Sequence, residues 1–353
     1  MTYYIYYFLI IVFSFVVDFS KDRHVKKIFL YFLIVFLVFF CGLRSSYVGT
    51  DTLNYMGFID EADSYSFYQL EPLFNLLLKS SIIFDSNYKY LYVFLITALI
   101  TFVSFFKGIR YHSIPIGIFF SLAFAQTGFF YDQFNTIRQL CATGIVFYAL
   151  RYIFDDKLKY IFFILIASMF HYSALICFVF IFFEFYKKYW KSCVFFASVF
   201  FYSFYSLFFQ KIIAINNKYS VYYDIDINTE FIGKGALLFN LFFLFVNLFW
   251  LKYIREIYKE KYLFFLIIFF VGFVIQLIIG ELGYGGLAAI RLTYYFLYAQ
   301  IFLMSYIYFS LYKDARFFFW IFIVTLMSFK FLYMLSNSTL LHMSYSILDY
   351  LKW

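Results

Sequence analysis

The feature that most constrains this chain is a succession of apolar blocks of roughly 16–22 residues, each separated from the next by a short polar stretch or a small cluster of Lys and Arg. A helix of that length covers about 30 Å, the thickness of bilayer hydrocarbon. Lipid offers no partner to a free amide or carbonyl, so a block crossing it must be helical. The blocks lie at about 3–17, 28–42, 88–106, 114–130, 137–153, 160–186, 192–209, 235–251, 262–280, 290–311 and 317–335. Composition closes the soluble alternative. With 65% hydrophobic and 14% charged residues among 353, the chain lacks the polar side chains a water-facing surface of that size needs, ordinary domains having about 25% charged residues. The expected fold class is all-α: a polytopic integral membrane protein with a single transmembrane domain over residues 1–353.

The formal charge of +8 does not point to nucleic acid, because the cations sit between apolar blocks and build no basic face. They read as topology signals. The block at 3–17 has no basic segment before it and no small-residue cleavage site after it, so it reads as a retained span. The block at 160–186 is too long for one perpendicular helix, carries His171-Tyr172-Ser173 at its middle and has basic clusters at both ends. Treated as a hairpin of two short helices turning near His171, it places 18 of the 28 Lys and Arg residues on the cytoplasmic side, as the positive-inside rule requires. Treated as one span, it inverts every later basic loop. The hairpin implies about 12 membrane segments with both termini outside. The four cysteines lie in or beside apolar blocks without metal-ligand spacing and read as buried free thiols.

Two outer segments are long. Residues 43–87 contain Asp51, Asp60, Glu61, Asp63, Glu71 and Asp85, and an amphipathic helix opening at Glu71-Pro72, with proline in its first turn. Residues 210–234 form a second, tyrosine-rich outer loop. Cytoplasmic loops are short and no G-x-x-x-x-G-K-[ST] occurs, which argues against ATP-driven chemistry.

Ionised side chains at membrane depth are costly and face partners or aqueous cavities. Arg44 after the second span, Arg138 opening the fifth and Arg291 opening the eleventh all fall on the outer side of the hairpin topology, as does His171. Taken singly, Arg44 also reads as an interfacial anchor, and His171 as a satisfied core histidine. Together they outline a cationic site. A guanidinium matches phosphate oxygens in a fork and stays charged, so a lipid-linked phosphate or pyrophosphate fits, its tail remaining in the bilayer.

These residues also carry a family likeness. Gly42-Leu-Arg44, Val48-Gly-Thr-Asp51-Thr with Tyr55, Glu71-Pro72, Asn135-x-x-Arg138-Gln139, Phe170-His171-x-Ser173-Ala-Leu175 and Arg291-x-x-x-Tyr295-Phe296 resemble, in order, the EpsG family of Wzy-type bacterial polysaccharide polymerases. The resemblance implies a multi-helix glycosyltransferase, akin in architecture to other enzymes of lipid-linked sugars. It would join oligosaccharide repeat units carried on undecaprenyl pyrophosphate into O-antigen or another surface polysaccharide, at the outer, periplasmic face of the bacterial inner membrane. Undecaprenyl-pyrophosphate-linked oligosaccharides and the lipid bilayer are then the partners, with room for a regulator of chain length and none for nucleic acid.

Negative charge builds on the pyrophosphate as its sugar leaves, so fixed cations there favour the transition state. Arg138 and Arg291 are assigned that role, with Arg44 a third contact or a structural partner of Asp51. The acceptor hydroxyl needs a base. An imidazole, whose ordinary pKa of about 6.5 lies near neutrality, suits the task, so His171 is first and Asp51 and Glu71 are rivals. Asp51 reads equally as a turn or helix cap, and Glu71 as a favourable charge at a helix start. Tyr55, Gln139 and Tyr295 are assigned to the sugar. No metal cluster is visible, and activity without a cofactor or divalent ion is expected. A flippase or exporter would want polar groups through the membrane depth, and a membrane O-acyltransferase would leave the arginines without a role. Both remain as alternatives.

Overall fold

A computed structural model describes residues 2–65, 69–85, 88–127, 129–189, 192, 195–196, 199, 234–282, 286–337 and 345–346. Most of the block at 192–209, the loop at 210–234 up to Lys234, Cys193 and the Gly283-Tyr284-Gly285 turn lie outside the described residues. Every regular element among the described residues is helical. They are α1 (Thr2–Phe19), α2 (Arg23–Gly42), α3 (Thr52–Asp60), α4 (Pro72–Ser81), α5 (Tyr88–His112), α6 (Ile116–Gln126), α7 (Phe129–Asn135), α8 (Ile137–Ala149), α9 (Lys157–Ser168) and α10 (Val179–Tyr186). After these come α11 (Lys234–Trp250), α12 (Glu256–Leu282), α13 (Gly286–Leu297), α14 (Ala299–Ser310) and α15 (Lys313–Ser336), with a 3-10 turn at Tyr172–Phe178 between α9 and α10. Five helices among the described residues are long and apolar enough to cross a membrane: α1, α2, α5, α12 and α15. The chain is a helical membrane protein. The helices form two compact units, Met1–Phe178 with Phe317–Trp353, and Val179–Arg316.

In the first unit α2, α5 and α8 pack side by side, and α1 packs on α2 and α6. The α5–α8 approach depends on Gly144, where an added Cβ would lie 3.0 Å from the Thr101 carbonyl. Without a hydrophobic drive between helices in lipid, such small residues set how closely backbones pack. Helix α6 starts at Pro115, which cannot cap it. Asp18 at the end of α1 does so instead, accepting the Ile116 amide at 2.8 Å, the Gly117 amide at 2.9 Å and the Trp320 indole N–H at 2.8 Å. In the second unit buried amides tie the helices together. Asn240 donates to Gln276 at 2.5 Å and Asn247 to Gln300 at 2.7 Å, while the Tyr262 hydroxyl donates to the Asn247 carbonyl at 2.8 Å.

Among the described residues, three apolar blocks differ from single unbroken helices, and the one at 290–311 divides between α13 and α14 at Tyr298. The block at 114–130 ends its first helix at Thr127, whose amide and hydroxyl both turn back onto the Ala123 carbonyl, at 3.3 and 2.8 Å. Helix α7 then stops at Asn135, and Thr136 adopts φ −113°, ψ 53° before α8 resumes. The block at 160–186 folds back on itself. Tyr160 donates its hydroxyl to the Cys177 carbonyl at 2.8 Å, whereas seventeen residues of continuous helix would hold them about 25 Å apart. Cys41, Cys141 and Cys177 are buried free thiols.

Candidate functional site

Helix α4 begins where the sequence places it. Glu71 is its N-cap residue and Pro72 its first residue. The free amides of its first turn do not go to a side chain: Leu73 and Phe74 both donate to the Met169 carbonyl, at 2.9 and 3.4 Å. That carbonyl is exposed by the end of α9, so the start of one helix satisfies the end of another. The contact brings Glu71 beside His171, two residues beyond Met169.

Glu71 therefore has no need to cap its own helix, and it makes no capping bond. Its Oε1 accepts from Nδ1 of His171 at 2.9 Å, and its Oε2 accepts from Nη1 of Arg138 at 2.7 Å. The three groups come from segments 67 and 100 residues apart. The Glu71 side chain is 8% exposed, those of Arg138 and His171 22% and 25%, so the carboxylate is sheltered while its partners reach the surface. Burial works to raise the Glu71 pKa. The His171 hydrogen bond and the nearby charges of Arg138 and His171 outweigh burial and hold it at about 2, so the carboxylate is ionised at neutrality.

Three aromatic rings surround the Arg138 guanidinium, Phe74 at 5.3 Å, Phe58 at 5.8 Å and Tyr55 at 6.0 Å, distances at which ring faces attract a cation. Arg138 Nε is buried without a hydrogen-bond partner. Phe58 and Phe74 had no place in the reading of the sequence. The signal for Phe58 is its position three residues after Tyr55, which puts both on one face of α3.

The other site candidates are held elsewhere or in other ways. Arg44 is 1% exposed. Its Nη1 donates to the Gln133 and Cys41 carbonyls at 3.0 and 3.3 Å, and its guanidinium lies 4.1 Å from the Phe94 ring centre. So enclosed, it presents no surface to a pyrophosphate. Asp51 stands at the N-cap position of α3, makes no side-chain cap, and accepts the Tyr55 amide on its carbonyl at 3.0 Å. Tyr55 and Gln139 are buried, so neither offers an open face to a sugar in this arrangement. Arg291 and Tyr295 lie one turn apart on α13 in the second unit, Arg291 half-buried and Tyr295 buried.

The Val48-Gly-Thr-Asp-Thr stretch packs on the α7–α8 junction. The Thr50 amide and hydroxyl donate to Asn135 Oδ1 at 2.6 and 3.1 Å, and Thr52 donates its hydroxyl to the Val48 and Phe134 carbonyls at 2.5 and 3.4 Å. Gly49 makes this possible. Its φ is +91°, and an added Cβ would lie 2.7 Å from the Phe134 carbonyl oxygen, so only glycine fits without strain.

The cluster is thus a sheltered, ionised carboxylate holding a guanidinium and an imidazole that are each partly exposed. Comparison with curated proteins and with solved structures yields no match. The EpsG family model matches residues 27–351, a range that reaches into both units and takes in every family motif quoted above, and the chain belongs to the EpsG family.

Proposed function

We propose that this protein is a polysaccharide polymerase that joins oligosaccharide repeat units carried on undecaprenyl pyrophosphate, at the outer face of the bacterial inner membrane. The observation that carries the reading is the Glu71–Arg138–His171 cluster in a helical membrane chain of the EpsG family. In the step envisaged, the acceptor hydroxyl oxygen bonds to the anomeric carbon of the donor sugar. The bond from that carbon to the pyrophosphate oxygen breaks, and its electron pair stays with the pyrophosphate. Arg138 faces that charge as it builds, which favours the transition state over the bound substrate. The hydroxyl proton passes to His171 Nε2.

The deciding experiment supplies purified protein in nanodiscs with one defined lipid-linked repeat. Longer glycans support the polymerase; acylated glycan means an acyltransferase, and transbilayer movement without bond formation means a carrier. Arg138→Lys keeps the charge and loses the fork. It is expected to slow chain growth on the order of 10²-fold with the protein still folded. An unchanged rate and glycan length distribution would remove Arg138 from the phosphate.

A further inference from the structure

The cluster contains a division of labour that the polymerase reading leaves open, and the inference here rests on that reading. We propose that Glu71 is a positioning residue: one carboxylate oxygen fixes His171 as the Nδ1–H tautomer, with Nε2 free to take a proton, while the other holds Arg138 until the donor pyrophosphate displaces it.

The geometry supplies each part. Both oxygens of Glu71 are used, Oε1 by His171 Nδ1 and Oε2 by Arg138 Nη1, at 2.9 and 2.7 Å. An ionised carboxylate only accepts hydrogen bonds, so the ring nitrogen facing it must carry the proton, and in a neutral ring the lone pair then sits on Nε2. Among the described residues, the hydrogen bond to Glu71 is the imidazole's single side-chain bond to protein. With a quarter of the side chain exposed, Nε2 is left for a ligand. The alignment is set by backbone as well as by charge. The Leu73 and Phe74 amides on the Met169 carbonyl tie the start of α4 to the residue two before His171, so the carboxylate and the ring are registered before any substrate arrives.

The second oxygen has a different consequence. Arg138 at rest already has an anionic partner, and a pyrophosphate bringing more charge and more acceptor oxygens competes for the same donors. Glu71 then differs from a general base, which would need to be released to work, and from a simple staple between α4 and α8. A staple's loss weakens binding and turnover together. Loss of a positioning carboxylate that also shields the cation lowers turnover and leaves donor binding as tight or tighter.

Glu71→Gln separates these. Glutamine turns one of the two acceptor oxygens into an N–H donor, so while its carbonyl faces Arg138 its NH2 faces His171 and can bond Nδ1 only where that nitrogen is unprotonated, which favours the Nε2–H tautomer. In nanodiscs with the lipid-linked repeat, kcat is expected to fall on the order of 10²-fold or more, with donor KM unchanged or lower. A kcat that stays at the wild-type level, or a KM that rises as kcat falls, overturns the proposal. The tautomer is read without turnover, from the ring ¹⁵N shifts of His171 isolated by difference against His171→Asn. The expected wild-type spectrum has the proton on Nδ1, and Glu71→Gln moves it toward Nε2. A proton on Nε2 in the wild type, or the same spectrum in both proteins, overturns the proposal as well. Wild-type protein that makes no longer glycan would count against the polymerase reading itself, whereas the ¹⁵N spectra test the positioning role by themselves.

Discussion

Acid should unfasten the cluster in a calculable window, and Glu71→Gln isolates that effect from every other carboxylate in the chain. In the folded protein burial raises the Glu71 pKa, but the His171 bond and the Arg138 and His171 charges more than offset it, taking the group from the usual 4.5 to about 2. A group whose folded pKa lies below its unfolded pKa stabilises the fold above the unfolded value and loses that contribution as pH falls through the folded one. The window therefore runs from about pH 4.5 down to about pH 2. The difference corresponds to ~3 kcal/mol, with little discount for solvent because the side chain is 8% exposed. The assay is equilibrium unfolding in mixed micelles, followed by tryptophan fluorescence, at a series of pH values from 7 to 2. Wild type should exceed Glu71→Gln by ~3 kcal/mol near neutrality, and the gap should close as pH approaches 2. A gap that is constant across the series, or absent at pH 7, would refute the claim that an ionised Glu71 holds these segments together.

Two further expectations follow from the structure and from the charge pattern. Gly49→Ala forces a side chain onto the Phe134 carbonyl at a positive φ, so it should destabilise by ~1–3 kcal/mol and lower the yield of folded protein; a melting temperature equal to wild type would contradict the fit described. Tags placed in the basic stretches at Lys157 and Lys187 should both react only with a reagent that reaches the cytoplasmic side, since the proposed topology gives the chain a hairpin between them, and labelling of one from the opposite side would overturn it.

Much of the scaffold was legible because membranes impose so narrow a menu. Among the described residues the apolar blocks are helical, Pro72 marks the start of α4, and basic clusters on both sides of a long block point to the fold-back near His171. The breaks at Thr127 and Thr136 were harder to see. They lie inside or beside apolar runs, and hydropathy averages over a residue whose hydroxyl or backbone leaves the helix. Within the site, Arg138 and His171 stand out in the sequence as polar residues at membrane depth, and Glu71 as the charge that opens an amphipathic helix. Their pairing does not, because no local period links positions 67 and 100 residues apart. Glu71 reads in the sequence as a rival to His171 for the role of base; the structure adds that the two are hydrogen-bonded, Oε1 to Nδ1. The enclosure of Arg44 and the burial of Tyr55 and Gln139 depend likewise on packing from distant helices, which composition does not record.

The same backbone accounting links several of the residues singled out in the sequence. A helix interrupted within a membrane exposes carbonyls and amides that lipid cannot satisfy, and among the described residues two helix interruptions flank the Glu71–Arg138–His171 cluster. At the first, the Gln133 carbonyl is taken by Arg44 and the Phe134 carbonyl by Thr52, at 3.0 and 3.4 Å. At the second, the Met169 carbonyl is taken by the Leu73 and Phe74 amides. All these donors come from one stretch, residues 44–74, which patches both breaks. Arg138 emerges two residues after Thr136, and His171 two residues after Met169. Glu71, near the end of that stretch, bonds both side chains. Arg44, Gly49 and Thr52 thus hold the stretch that also carries Glu71, and in the proposed reaction they act only through it. Binding chemistry and backbone satisfaction are met by one set of contacts, so a change at either break should be felt in the distance between Glu71 and its two partners.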